Sequence, residues 1–201
     1  MTMAPEQVRP APRAIKRFSV DDYHRLGEVG LIGPDERTEL IEGVVYEMSP
    51  PGPYHAALVD RLARRFFAAL SDRALIRVQS PIRLDATSEP QPDLVLLRLR
   101  ADDYASAFPE PADVQLVVEV ATTTLPFDLG PKAAAYGRGG IPELWVVDAA
   151  AERIVVHRTP GVSGYASIVV ADSGGILAPL AFPDDGWPVD VLLGPARAGD
   201  A

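Results

Sequence analysis

Glu119 stands inside Val117-Val-Glu-Val120, a run that otherwise reads as a buried strand. Full burial of an unpaired carboxylate there would cost several kcal/mol, so something must compensate its charge. Asp93 follows Gln91-Pro92 at the start of the preceding apolar run, so two neighbouring strands can bring both carboxylates to one face and one end of a sheet. Two hard oxygen donors meeting in this way suit Mg²⁺ or Mn²⁺. Lys132 adds a cation: it lies 13 residues after Glu119, and the only other lysine is Lys16 near the N-terminus. The spacing puts Lys132 in the first turn of the helix that leaves the Glu119 strand, where free N–H groups and the helix dipole attract phosphate. Two carboxylates, a metal and a lysine are the parts needed to hydrolyse a phosphodiester. The metal lowers the pKa of bound water and neutralises oxygens, while the lysine orients the nucleophile or stabilises developing charge. Plainer alternatives stand beside this: Asp93 capping a turn after Pro92, Glu119 reaching solvent at a strand end, and Lys132 as a solvated surface charge.

Other chemistries fall away. Gly161-Val-Ser-Gly164 lacks the spacing of a nucleophile elbow, Gly137-Arg-Gly-Gly140 is followed by Pro142 where a dinucleotide loop needs glycine, and no phosphate-loop GK[ST] exists. His24, His55 and His157 show no zinc-ligand spacing. With no cysteine there are no disulfides, thiol nucleophiles or thiolate metal sites, so a metal must sit on oxygen or imidazole.

The elements that must position these residues follow from periodicity. Ser19 and Asp22 form a capping-box pair opening a short helix with Val20, Tyr23 and Leu26 on one face. Glu39 to Met48 reads as a hairpin turning at Glu42-Gly43. After the break at Ser49-Pro-Pro-Gly-Pro53, Leu58, Leu62, Phe66 and Leu70 give one face of a helix from Tyr54 to Leu70. The period then changes to two from Ile76 to Leu84, a half-exposed strand in which Pro81 asks for an edge or a bulge. Asp93–Leu99 and Val114–Val120 read as buried central strands, Pro131 to about Gly137 as a short helix, and Glu143–Asp148 as a further buried strand. The later segments, Arg153–Arg158 and Tyr165–Ala171, read as hairpins.

These residues resemble a known family. Glu39-Leu-Ile-Glu-Gly43, His55 at the following helix start, Gln91-Pro-Asp93, Val118-Glu-Val120, then Asp128, Lys132, Tyr136 and Gly140-Ile-Pro-Glu143 with Trp145 are similar to the Uma-type restriction-endonuclease family of the PD-(D/E)XK superfamily. The resemblance spans roughly Phe18 to Arg158. It implies an α/β fold with a restriction-endonuclease-like αβββαβ core, a central mixed sheet flanked by helices, with added β-hairpins. It also implies a Mg²⁺- or Mn²⁺-dependent endonuclease acting on DNA. Asp93 takes the place of the PD aspartate and Glu119 that of the second acid, with Asp93, Glu119 and Val120 at the metal position. Glu39 and His55 take accessory catalytic places, a third acid and a group contacting substrate or the metal water. The pattern departs at Ala121, which stands where the superfamily carries its lysine, so Lys132 must fill that role from the next helix. It departs again at Ala121-Thr-Thr-Thr124, in place of a Ser-Pro-Ser-Thr-like turn.

Length and charge set the remaining expectations. The chain of 201 residues fits one domain over 18–195, with core 39–158 and a hairpin-rich C-terminal extension, preceded by a disordered tail over 1–17 rich in Pro, Ala and Arg. No apolar run approaches the ~20 residues that cross a bilayer, and the N-terminus lacks an apolar signal core, so a cytoplasmic protein without membrane contact is expected. A net charge of −9 repels DNA in bulk. Relief comes from residues 60–77, where Arg61, Arg64, Arg65, Arg73 and Arg77 against Asp60 and Asp72 leave +3, and where Arg61, Arg64 and Arg65 lie off the apolar stripe as nucleic-acid contacts. A homodimer is a further partner expectation. The rival reading is a non-catalytic descendant that keeps the fold as a binding or dimerisation module, which Ala121 and the acidic charge favour; hydrolysis of another phosphate substrate is a third.

Overall fold

The computed structural model describes residues 15–195. Helix α1 (Val20–Glu28) starts at the expected capping box, Ser19 Oγ accepting from the Asp22 N–H at 3.1 Å and Asp22 Oδ2 from the Ser19 N–H at 3.0 Å. Strands β1 (Thr38–Ile41) and β2 (Val44–Glu47) form the hairpin. Its two-residue turn has φ of 50° at Glu42 and 76° at Gly43, the left-handed pair a tight hairpin needs. A Cβ at Gly43 would lie 2.5 Å from the Cβ of Arg17, and the Phe18 N–H donates to the Gly43 carbonyl at 2.9 Å. Arg17, assigned above to the tail, is therefore packed on the hairpin; Ile15 and Lys16 are exposed and outside any helix or strand, and residues 1–14 of that reading lie outside the described residues.

Helix α2 (Pro53–Leu70) buries Leu58, Leu62, Phe66 and Leu70, the expected stripe. Strands β3 (Leu75–Val78), β4 (Leu94–Leu97), β5 (Val114–Ala121), β6 (Glu143–Asp148), β7 (Arg153–Gly161) and β8 (Gly164–Ala171) lie in chain order across one six-stranded sheet. All neighbours are antiparallel except β5 and β6, whose parallel pairing requires a crossover. One sheet face packs α2 with Leu94, Leu96, Leu116, Val118, Val120 and Trp145; the other carries Val95, Leu97, Val117, Ala121, Leu144 and Val146 beneath the crossover helix. The order α, β, β, β, α, β and the mixed sheet are those of a restriction-endonuclease-like core.

Three local readings are corrected. The strand expected over Ile76–Leu84 stops at Val78, because Gln79 turns with φ of 46° and Pro81 follows; Ile82 and Leu84 keep their buried places from an irregular segment. The helix expected from Pro131 begins earlier, as α3 (Leu125–Phe127), a π turn (Asp128–Lys132) and α4 (Ala133–Arg138) in succession. Pro131 inside the segment cannot donate a backbone hydrogen bond, and the wider turn accommodates it. The C-terminal part is not only hairpins. The β7–β8 hairpin is built into the main sheet, β9 (Ile176–Leu177) pairs with β10 (Trp187–Pro188), and α5 (Val189–Leu193) packs against α2. Among the described residues no helix is long and apolar enough to cross a membrane.

Candidate active site

Register brings the two strand carboxylates together. Leu94 pairs with Val118 in the antiparallel β4–β5 ladder, so Asp93, one residue before β4, falls opposite Glu119. Alternation then puts Asp93 with Val95 and Glu119 with Val117 on the face toward the crossover. Asp93 Oδ2 accepts from the Val120 N–H at 2.8 Å, so the aspartate is fixed to the strand that carries the glutamate. Both line a cleft of about 630 Å³ bounded by the β1–β2 hairpin, the start of α2 and the crossover segment.

Lys132 enters that cleft from the middle of the crossover rather than from a helix N-terminus, so its ammonium and not a helix dipole supplies the positive charge. Its Nζ lies 3.0 Å from Glu119 Oε1 and 3.0 Å from Glu39 Oε2, and the side chain is only 4% exposed. Burial opposes the ammonium, but Glu119, Glu39 and Asp128 outweigh burial and hold its pKa above the ordinary range. Glu119, only 3% exposed, has its pKa pushed well above the usual carboxylate range by burial; Lys132 opposes this, while Asp93, Asp128 and Glu39 reinforce it. Tyr136, fully buried, donates its phenol to Glu119 Oε1 at 2.6 Å. Burial, then Glu119 and Glu39, drive the Tyr136 pKa well up, so the residue remains a donor. Glu39 Oε2 also accepts from the Gln91 N–H at 3.1 Å.

On the other side His55, in the first turn of α2, places Nε2 3.0 Å from Asp93 Oδ1. This hydrogen bond raises the His55 pKa, against burial and with help from the Asp93 charge and the Val120 backbone. Burial pushes Asp93 up, but the hydrogen bond and charge of His55, the Val120 N–H and Lys132 together hold it below its ordinary value. Asp128, raised chiefly by burial, is held by the Thr124 hydroxyl at 2.5 Å.

The expected residues Asp93, Glu119, Lys132, Glu39 and His55 thus share one cleft with the Val120 backbone. The alternatives of a solvent-directed Glu119 and a solvated Lys132 do not hold. Three of the five arginines of residues 60–77 have partners within the fold. Arg61 donates to the Leu193 carbonyl at 2.7 Å and ties α2 to the end of α5. Arg73 pairs with Asp185 at 2.8 Å, and Arg77 donates to the Asp103 carbonyl at 2.7 Å. Only Arg64 and Arg65 of the five are exposed without such a partner among the described residues. Gln79, whose side-chain amide donates to Asp93 Oδ1 at 3.4 Å, was absent from the sequence reading, and Asp128 and Tyr136 entered it only as part of the family pattern; Asp128, Lys132 and Tyr136 recur at every fourth residue, which was the available signal.

The topology and this cleft define a restriction-endonuclease-like protein. A family model matches residues 20–191 and is described as "Uma2: Putative restriction endonuclease"; the chain belongs to that family. A comparison with curated proteins found no match. Among solved structures, the fold is similar to the crystal structure of "a putative nuclease belonging to DUF820" from Anabaena variabilis ATCC 29413. Identity to it is 14%, the TM-score is 0.72, and the match covers 88% of this chain and 97% of that one.

Proposed function

We propose that the protein is a divalent-metal-dependent endonuclease that hydrolyses DNA phosphodiester bonds. The observation that carries this is the Lys132 ammonium bridging Glu39 and Glu119 in the cleft that also holds Asp93. Four carboxylates, Glu39, Asp93, Glu119 and Asp128, surround this one ammonium, and all four are buried. That surplus of negative charge on hard oxygen donors fits Mg²⁺ or Mn²⁺. Among the described residues no three His, Asp or Glu side chains stand in a ligating arrangement of their own. A cation on Asp93 and Glu119 would therefore complete its shell with the Val120 carbonyl and water, as Mg²⁺ commonly does. The metal, when bound, would acidify a water and neutralise phosphate oxygens.

The chain's own residues prepare that place. His55 and the Val120 N–H keep Asp93 ionised and aimed. Tyr136 and Lys132 hold Glu119 by one oxygen, which turns its carboxylate in a fixed direction. Lys132 has three N–H donors and two carboxylate partners, which leaves one donor for a water or a phosphate oxygen. The lysine expected at Ala121 is thus replaced through space by one on the crossover.

The test is metal-dependent nicking of supercoiled plasmid. Asp93→Asn and Glu119→Gln should each abolish it while the circular-dichroism spectrum remains native. Wild-type protein that cleaves neither DNA nor RNA with Mg²⁺ or Mn²⁺ would favour the non-catalytic module.

A further inference from the structure

The carboxylate cleft has a neighbour. A second cavity, of about 610 Å³, lies between α1 and the start of β1, and Arg37 lines both. Gln91 joins them too: it lines the second cavity while its backbone N–H binds Glu39 in the first. Of the lysine and arginine side chains lining the carboxylate cleft, Lys132 is already bracketed by carboxylates, and Arg37 has no hydrogen bond or ion pair among the described residues. Its backbone is nonetheless fixed, since the Met48 N–H donates to the Arg37 carbonyl at 2.8 Å. A free guanidinium on the wall of an acidic cleft has the geometry to take a phosphate by two parallel hydrogen bonds.

The second cavity suits a base rather than another phosphate. Glu28 and Glu36 line it and would repel an anion, whereas their carboxylates can accept from base N–H groups. Tyr23 and His24 offer ring surface already locked in place: the Tyr23 hydroxyl is 2.8 Å from Thr38 Oγ1, and His24 Nε2 is 2.7 Å from Glu89 Oε1. Rings held this way stack an unpaired base without paying to order themselves.

Building on the nuclease reading, we infer that the substrate is a nucleic-acid strand with an unpaired nucleotide beside the scissile phosphate. Arg37 grips that nucleotide's phosphate, and its base occupies the α1 cavity against Tyr23 and His24. A continuous duplex keeps its bases stacked inward and cannot fill the cavity without flipping one out.

The test measures binding apart from cleavage, with fluorescein-labelled single-stranded and blunt duplex DNA of one sequence, in Ca²⁺ in place of Mg²⁺. Single-stranded DNA should bind more tightly than duplex. Arg37→Met should weaken single-strand binding by about tenfold and lower the salt slope by about one, with Arg37→Lys recovering part of the loss. A strand with one abasic position should lose about tenfold at a single register, and that loss should shrink in His24→Ala. Equal affinity for single strand and duplex, or Arg37→Met binding like wild type, overturns the inference even if the enzyme cleaves. Preserved single-strand preference in a protein that never cleaves would overturn the nuclease reading and leave the binding path standing.

Discussion

Replacing Lys132 by Met removes the one ammonium among four buried carboxylates and keeps most of its volume. At 3.0 Å each of its two ion pairs is worth roughly 5–6 kcal/mol in gross Coulomb energy at an effective dielectric of about 20. Desolvation of the three ions takes back several kcal/mol apiece, so the intact set is close to break-even. Truncation is different, because Glu39 and Glu119 then face Asp93 and Asp128 uncompensated, and breaking such a buried pair costs about 3–5 kcal/mol. The loss must depend on pH. Without Lys132 the folded-state pKa of Glu119 climbs further above the ordinary 4.5, so over that interval the native state binds more protons than the unfolded chain. Stability therefore falls as pH rises and recovers as pH is lowered toward 4.5. Urea unfolding of Lys132→Met and wild type should show a difference of about 3–5 kcal/mol at pH 8 that shrinks as pH is lowered. A difference below about 1 kcal/mol, or one that stays flat from pH 5 to 8, would refute the idea that Lys132 is what allows these carboxylates to be charged inside the fold.

The His55–Asp93 pair predicts a different profile. His55 is raised above 6.5, so its stabilising contribution is complete below that value and is lost as pH rises through the folded pKa. Asp93 is lowered below 3.8, so its contribution is complete above that value and lost as pH falls through the folded pKa. Thermal unfolding of His55→Ala should therefore lose most relative to wild type between these two values and less in alkaline buffer; a pH-independent loss would contradict the pairing. Arg61→Ala should lower urea stability by about 1–3 kcal/mol through the orphaned Leu193 carbonyl, with DNA affinity unchanged; weaker DNA binding at unchanged stability would return Arg61 to the nucleic-acid surface. Arg64→Ala with Arg65→Ala should instead leave stability within about 0.5 kcal/mol and weaken DNA binding equally for all sequences, measured by fluorescence anisotropy across a salt series. Gly137→Ala should destabilise strongly, because its Cβ would lie 2.6 Å from the Gly164 backbone that α4 packs against; a native melting temperature would show that the hairpin yields.

Much of the site was legible because burial makes charges conspicuous. Glu119 broke an apolar run, Asp93 opened the neighbouring one, and a single lysine stood outside the terminus, so three residues on three elements declared themselves by type alone. The fold's core was legible for the same reason, since α2 and the central strands carry clean periods of four and two. What hid was decided by the backbone or by distant partners. Nothing around Gln79 announced its left-handed φ, so the alternating Ile82 and Leu84 looked like a strand when only their burial was real. The start at Leu125 was masked by Pro126 and Pro131, which favour reading a break where the chain makes a π turn. Arg61 looked free because its partner, the Leu193 carbonyl, lies 132 residues away on a short helix whose docking no local pattern reveals.

In the proposed function, Asp93 and Glu119 together hold the metal at which the phosphodiester is cut. The most direct measurement is a crystal structure soaked in Mn²⁺ and read by anomalous scattering. One Mn²⁺ site is expected, with oxygens of Asp93 and Glu119 both within roughly 2.0–2.6 Å of the ion, and the peak should be lost in Glu119→Gln. A Mn²⁺ ion bound elsewhere, or an empty cleft at saturating Mn²⁺ with Lys132 still bridging Glu39 and Glu119, would contradict it.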